Sequence, residues 1–323
     1  MTVLVTGAAG FIGYHVAEAL LARGQGVVGI DNLNDYYEVS LKRARLGRLE
    51  AKKGFVFRKL DLADREAMAA LGAAFPDLTH IVHLGAQPGV RYSLVNPYAY
   101  ITSNMMGQVT VLELARTLKH LRNVVYASSS SVYGGNEKMP FAVGDAVETP
   151  QSLYAATKRA DELISHAYAH LYGIPLVGLR FFTVYGPWGR PDMAPMIFTR
   201  AILAGDPIRV FNNGEMWRDF TYVDDIVAGV LAALDAPPAG KPPHKLYNLG
   251  NNKSEKLTDF IAALEGALGK KAQMRFEPMQ PGDVEKTYAD IEATRRELGF
   301  APTTSISVGV PKFVAWYREY YRA

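Results

Sequence analysis

Val3-Leu4-Val5-Thr6-Gly7-Ala8-Ala9-Gly10-Phe11-Ile12-Gly13 stands near the start of the chain, and its reading decides the fold. A short apolar run with strand character leads into glycines spaced G-x-x-G-x-x-G, and helical spacing begins at Phe11. Each glycine has its own task in such a strand–loop–helix. The first permits a tight turn, the second lets a pyrophosphate approach the backbone, and the third lets the helix pack closely on the strand. The helix start offers unpaired N–H groups and the positive end of its dipole to phosphates. Without a ligand the same glycines would make only a turn. Asp31, at the end of the next apolar run, separates the two readings. A carboxylate there accepts hydrogen bonds from the adenosine ribose hydroxyls and repels a 2′-phosphate. Asn32-Leu33-Asn34 brings no arginine to offset it, which favours NAD over NADP.

Outward from this stretch, Val27–Asp31, Phe55–Arg58, His80–Leu84, Val124–Ser128 and Leu176–Phe181 read as buried strands. Phe11–Arg23, Ser40–Glu50, Asp64–Phe75, Pro97–Lys119 and Ser152–Tyr172 read as helices between them. Asn96 before Pro97 is a helix N-cap signal, Gly24 after Arg23 is a helix stop, and Asp61 or Asp64 caps the third helix. Regular alternation predicts an α/β class: a doubly wound parallel sheet of Rossmann type, covered on both faces. After Phe182 the rhythm breaks at Gly186-Pro187-Trp188-Gly189-Arg190-Pro191. The expected organisation is a dinucleotide domain over residues 1–180 and a smaller mixed α/β substrate lobe over 181–323. The two interleave, since residues 222–245 resemble a further strand–helix unit returning to the sheet. Asp224-Asp225 is expected to cap a helix over Ile226–Leu234.

The chain has 323 residues, no cysteine and a formal net charge of +3. No disulfide framework, thiolate nucleophile or thiolate metal site is available, and a reducing cytoplasm is the expected setting. No stretch approaches the roughly 20 apolar residues of a membrane span, and no secretory leader is expected. The basic cluster Lys42, Arg43, Arg45, Arg48, Lys52 and Lys53 reads as a solvated helix face, and nucleic acid is not an expected partner. His166 and His170 lie one helical turn apart without a third ligand nearby, so no metal site is expected.

Chemistry enters with Tyr154-Ala155-Ala156-Thr157-Lys158 and the serine run Ser128–Ser131. Residues 154 and 158 share one helix face. A free tyrosine titrates near pH ~10 and is a poor base. A neighbouring ammonium and a cationic cofactor ring both favour the phenolate. A hydroxyl from the serine run, at the end of the fifth strand, would complete a site for oxidising an alcohol.

The glycine loop, Asp31, the serine run and Tyr154-x-x-x-Lys158 resemble the extended short-chain dehydrogenase/reductase family, and within it the nucleotide-sugar epimerases. The strings Pro88–Ser93, Phe181–Met193 and Arg218–Asp225 are similar to those of UDP-glucuronate 4-epimerases. The resemblance implies tightly bound NAD held by Gly7, Gly10, Phe11, Ile12, Gly13, Asp31, Asn32, Asp61, Leu62, Leu84, Ala86, Tyr154, Lys158 and Phe181. It implies Ser129, Tyr154 and Lys158 as the catalytic set and a UDP-sugar as substrate, held also by Gln87, Arg91, Ser130, Ser131, Thr183, Arg190, Phe211, Arg218 and Asp283. Arg190 either pairs with a sugar carboxylate or clasps its own loop, and Phe211 packs either on the base or in the core. Gln280 stands where many relatives carry an arginine, so Arg91 or Arg209 would complete the diphosphate contacts. A homodimer through a four-helix bundle is implied as well.

Ser130 and Ser131 separate related chemistries. Sugar-nucleotide 4,6-dehydratases carry an Asp-Glu pair there, and hydroxyls cannot do that acid–base work near neutral pH. Hydroxyl donors suit a substrate with its own C6 carboxylate. The expectation is C4 epimerisation of UDP-glucuronate to UDP-galacturonate. The alternatives are a UDP-sugar decarboxylase, a 4-epimerase of neutral or N-acetylated UDP-hexoses, and an NAD-binding sensor without turnover.

Overall fold

A computed structural model of the chain describes residues 1–280 and 283–323; Pro281 and Gly282 fall outside them. The first part runs β1 (Thr2–Thr6), α1 (Phe11–Ala22), β2 (Gly26–Asp31), α2 (Val39–Glu50), β3 (Phe55–Lys59), α3 (Arg65–Ala74), β4 (Leu78–His83), α4 (Pro97–Tyr100), α5 (Gly107–Thr117), β5 (Asn123–Ser129), α6 (Leu153–Tyr172) and β6 (Leu176–Phe181). Then follow β7 (Thr183–Tyr185), α7 (Ala194–Ala204), β8 (Pro207–Val210), β9 (Trp217–Arg218), β10 (Phe220–Tyr222), α8 (Val223–Asp235), β11 (His244–Leu249), β12 (Glu255–Lys256), α9 (Leu257–Leu268), β13 (Gln273–Phe276), α10 (Glu292–Leu298) and α11 (Ile306–Tyr321).

Seven strands form one sheet in the order β11-β6-β5-β4-β1-β2-β3. Every pairing in it is parallel; the inner strands are buried on both faces, whereas β3, read from sequence as buried, is a largely exposed edge strand. Along β1, Val3 and Val5 enter the core layer that holds α1 and α8, while Leu4 enters the layer that holds α3 and α5. That alternation is the two-residue strand period read directly. The order reverses between β1 and β4, and ligands of open α/β sheets bind in the crevice at such a switch.

Local signals set the element ends. The Ser152 hydroxyl caps α6 by accepting from the Ala155 N–H, and Gly173, in the left-handed region, stops it. The Asp64 carboxylate caps α3 by accepting from the Ala67 N–H. The expected single helix over Pro97–Lys119 is interrupted: a π-helical turn, Ile101–Met106, separates α4 from α5, and α5 ends at Thr117. The widened turn carries Asn104, whose amide donates to the Gln87 carbonyl and the Thr157 hydroxyl and accepts from the Gln87 N–H. π-Bulges commonly mark functional positions.

Asp224 and Asp225 do not cap a helix. The helix begins earlier, with Tyr222 as N-cap, and both carboxylates lie in its first turn. Asp225 instead accepts from the Thr303 and Thr304 N–H groups at 3.2 and 3.0 Å, tying α8 to the approach to α11.

Beyond β6 the chain builds three two-stranded ladders, β10–β7, β12–β9 and β13–β8. Their core is continuous with that of the sheet. Phe220 stacks on Phe260 in it and Tyr185 meets Phe260 edge-on, in one cluster with Val3 and Val5. No helix among the described residues is long and apolar enough to cross a membrane.

Candidate active site

The cofactor cradle starts where β1 ends. Gly7 has φ +67°, and a Cβ there would stand 2.8 Å from the Gly85 nitrogen. A Cβ on Gly13 would lie 2.1 Å from the Gly7 carbonyl oxygen, so α1 can approach the loop this closely only with glycine. Gly10 donates to the Gly7 carbonyl at 2.8 Å and opens α1, where no side chain caps the helix start. An uncapped, glycine-lined helix start is the cradle a dinucleotide pyrophosphate fits.

One cleft runs from this loop across the sheet's carboxyl edge. It is lined by Gly7, Gly10, Phe11, Ile12, Gly13, Asp31, Asn32, Asp61, Leu62, Leu84, Ala86, Ser129, Tyr154, Lys158, Phe181 and Arg190. The Asp31 carboxylate accepts from the Leu33 N–H at 2.8 Å and the Ala9 N–H at 3.2 Å. Burial raises its pKa against the pull of those bonds and of Lys42. Asn32 donates to Asp61 at 2.9 Å, bracing the loop after β2 against the loop after β3.

The reading of the basic cluster as a solvated face is wrong for two of its members. Lys42 and Arg45 are buried. Lys42 lines the cleft and donates to the carbonyl and side chain of Asn34. Arg45 donates to the carbonyls of Ala9, Trp188 and Gly189 and to the Tyr37 hydroxyl, joining the glycine loop to the 186–191 segment. The neighbouring Arg48 donates to Tyr14 and lies over the Trp188 ring. Helical spacing could not show this, because the loop that covers α2 lies more than 140 residues downstream.

At the centre, Lys158 is buried. Its ammonium donates to the Ala127 carbonyl at 2.9 Å and to Asp161 at 3.2 Å. Tyr154 is half-buried, with Tyr100 edge-on at 6.0 Å between ring centres. Tyr100 is anchored in turn by donating to the carbonyls of Pro88 and Gly89. The Ser129 hydroxyl lies 3.2 Å from that of Ser131 and accepts from the Ser131 N–H. His83 closes β4 with Nδ1 2.7 Å from the Thr6 hydroxyl; complete burial, with Lys158 adding to it, pushes the imidazole down to about 3, so it stays neutral.

A second cleft adjoins the first across the Ser129–Ser131 turn. Ser130, Ser131, Thr183, Arg218 and Asp283 line it. Burial lowers the pKa of Arg218, whose guanidinium donates to the carbonyls of Trp217 and Glu285. Asp283 pairs with Arg91 at 2.9 Å. Arg91 and Arg209 each lie over the Phe211 ring, at 4.8 and 4.9 Å from its centre. Gln87 lines neither cleft; it is buried and held by Asn104. Arg190 lines the first cleft. It pairs with Asp192, which also accepts from the Tyr36 hydroxyl at 3.0 Å.

Beneath the serine turn lies an ion pair the sequence reading did not single out. Arg180 on β6 makes two parallel bonds to Glu162 on α6, at 2.8 and 2.9 Å, and Ser128 donates to the same carboxylate at 2.6 Å. The signal available was the four-residue step from Lys158 to Glu162, which repeats the step from Tyr154 and puts all three on one helix face.

The profile of the NAD dependent epimerase/dehydratase family matches residues 3–250. The chain belongs to that family. UDP-glucuronate 4-epimerase 4 of Arabidopsis thaliana is 49% identical, over 99% of this chain and 76% of its own length. Protein CapI of Staphylococcus aureus is 46% identical over the whole of both chains. Among solved structures, the UDP-glucuronic acid 4-epimerase of Bacillus cereus in complex with UDP-glucuronic acid and NAD superposes with a TM-score of 0.92. It is 36% identical, over 99% of this chain and 100% of that one. The family's NAD dependence fits the glycine cradle and the Asp31 carboxylate.

Proposed function

We propose that this family member interconverts UDP-glucuronate and UDP-galacturonate by oxidising and re-reducing C4 of the sugar. One observation carries the reading. Tyr154, Lys158 and Ser129 line the cofactor cleft at its border with a second compartment that offers hydroxyls at Ser130, Ser131 and Thr183. The UDP-glucuronate 4-epimerases among its relatives support the same substrate.

NAD, when bound in the glycine cradle, supplies the electron-pair acceptor that makes C4 oxidation and its reversal possible. Tyr154 takes the proton from the 4-hydroxyl, and Ser129 holds that hydroxyl in line. The ammonium of Lys158 stabilises the phenolate. The 4-keto sugar turns over within the site, and Tyr154 returns the proton to the new hydroxyl. Ser130, Ser131 and Thr183 donate to the C6 carboxylate. Arg218, with Arg91 and Arg209 near Asp283 and Phe211, supplies the positive charge for the diphosphate. Residues 1–180 with 222–245 form the cofactor-binding part, and the rest of 181–323 the sugar-nucleotide lobe. We place the protein in the cytoplasm, which its cysteine-free sequence supports.

Incubation with UDP-glucuronate, and separately with UDP-glucose, followed by NMR of the products, tests the reading. UDP-galacturonate from the first and little turnover of the second is the expected result. A pentose nucleotide would support a decarboxylase, and no turnover a sensor.

The protein also forms a homodimer through α4–α5 and α6. Tyr98 on α4 is 81% exposed and Leu171 on α6 65%, with Leu163 on α6 also bare, and Leu94 and Val95 bare in the turn just before α4. Exposed apolar clusters of this kind mark interaction surfaces. Tyr98→Glu with Leu171→Glu should give a monomer by light scattering while the fold is kept; an unchanged mass for the native and altered chains would rule the interface out.

A further inference from the structure

A lysine ammonium has three N–H donors. Two of those on Lys158 are committed, one to the Ala127 carbonyl and one to Asp161. The side chain still reaches the cofactor cleft, so one donor remains for it. Lys158 and Asp161 are 3% and 1% exposed. The second carboxylate oxygen of Asp161 has no hydrogen-bond partner among the described residues. Among the described residues, Lys158 is therefore the one cation bonded to this buried anion.

We propose that Asp161 is the positioning residue of the site: it keeps Lys158 charged and turned so that its remaining N–H faces Tyr154 and the cofactor cleft. The proposal rests on the epimerase reading. A buried amine without a counter-charge sheds its proton, and a neutral lysine no longer stabilises a phenolate. The other groups facing this pair do not replace the carboxylate. His83 on β4 faces Lys158 but is neutral, and its low pKa is due to burial and to that lysine. Glu162 on α6 is committed to Arg180, and the Tyr126 hydroxyl on β5 is hydrogen-bonded to His244. Burial pushes Asp161 up to about 6, while Lys158 holds it down, as a one-to-one pair requires. Gln108 reaches the same region from α5 only through the Ser165 hydroxyl.

The test is Asp161→Asn, which keeps the shape and removes the charge. In lysine-labelled holoprotein, with the Lys158 signal assigned by its absence in Lys158→Met, NMR follows the proton on Nζ against pH. Asp161→Asn should weaken proton binding at Lys158 by about tenfold or more, one pH unit. The alkaline limb of kcat should move down with it, and kcat at neutral pH should fall about 10- to 100-fold with KM within about threefold. Asp161→Glu should restore most of the limb. A folded Asp161→Asn protein with the Lys158 titration and alkaline limb unmoved would overturn the proposal. If that variant does not fold, Asp161→Ser, with room for a water, carries the same measurement. Native protein that fails to epimerise UDP-glucuronate would refute the function; the NMR titration judges Asp161 regardless.

Discussion

Tyr154→Phe should lower kcat by about 10²–10⁴-fold, the range a positioned acid–base group contributes. The substitution removes one oxygen. Tyr154 makes no hydroxyl hydrogen bond among the described residues, and its ring rests edge-on against Tyr100, a contact phenylalanine keeps. Fold, cofactor content and KM should therefore persist while turnover goes. A loss in kcat and in kcat/KM by the same factor marks an interaction made only in the transition state. Coupled NMR rate measurements on protein of verified NAD content check this. Activity within about tenfold of native would remove Tyr154 from the proton path.

Glu162→Ala should have the largest effect on stability. Arg180 and Glu162 are both 1% exposed, and the alanine leaves a guanidinium buried without its carboxylate. Removing one partner of such a pair costs about 3–5 kcal/mol, which lowers Tm by roughly 10 °C in a chain of this size. The Ser128 hydroxyl loses its acceptor as well, beside the turn that carries Ser129. Replacing both members with apolar residues of similar volume should recover much of the loss, because the cost lies in the orphaned charge. Burial alone would raise the Glu162 pKa, but Arg180, Ser128 and Arg159 hold it below the usual carboxylate range. The folded-state value is thus depressed. The contribution is complete above the unfolded carboxylate pKa and is lost as pH falls through the folded one. Calorimetry should find the gap between native and Glu162→Ala protein wide at neutral pH and closing in acid. A Tm within about 2 °C at neutral pH would contradict this account of the pair.

What could be read from the sequence was what local rules govern. The glycine spacing, the Asp31 position and the alternation of strands and helices each act within about 30 residues of chain, and the β1 to β6 order follows from them. The Tyr154–Lys158 step was equally local. What escaped depended on distant segments. Arg45 on α2 is buried where the Trp188–Gly189 carbonyls close over it. Asp225 binds backbone N–H groups at 303 and 304 instead of capping its own helix. The π-turn has no composition signal, and the Asn104 it carries bonds to Gln87 and to Thr157, 17 and 53 residues away. Arg190 shows the limit from the other side: the motif located it, while its pairing with Asp192, and the Tyr36 bond to that carboxylate, are visible only in space.

The central claim is that the hydrogen on C4 leaves and returns within a closed site while Tyr154 handles only the hydroxyl proton. UDP-glucuronate deuterated at C4 tests it most directly. Incubated with the holoprotein in ordinary water, it should give UDP-galacturonate that retains the label at C4, read by NMR and mass. Epimer that has lost deuterium to solvent, or a pentose nucleotide in place of the epimer, would contradict it.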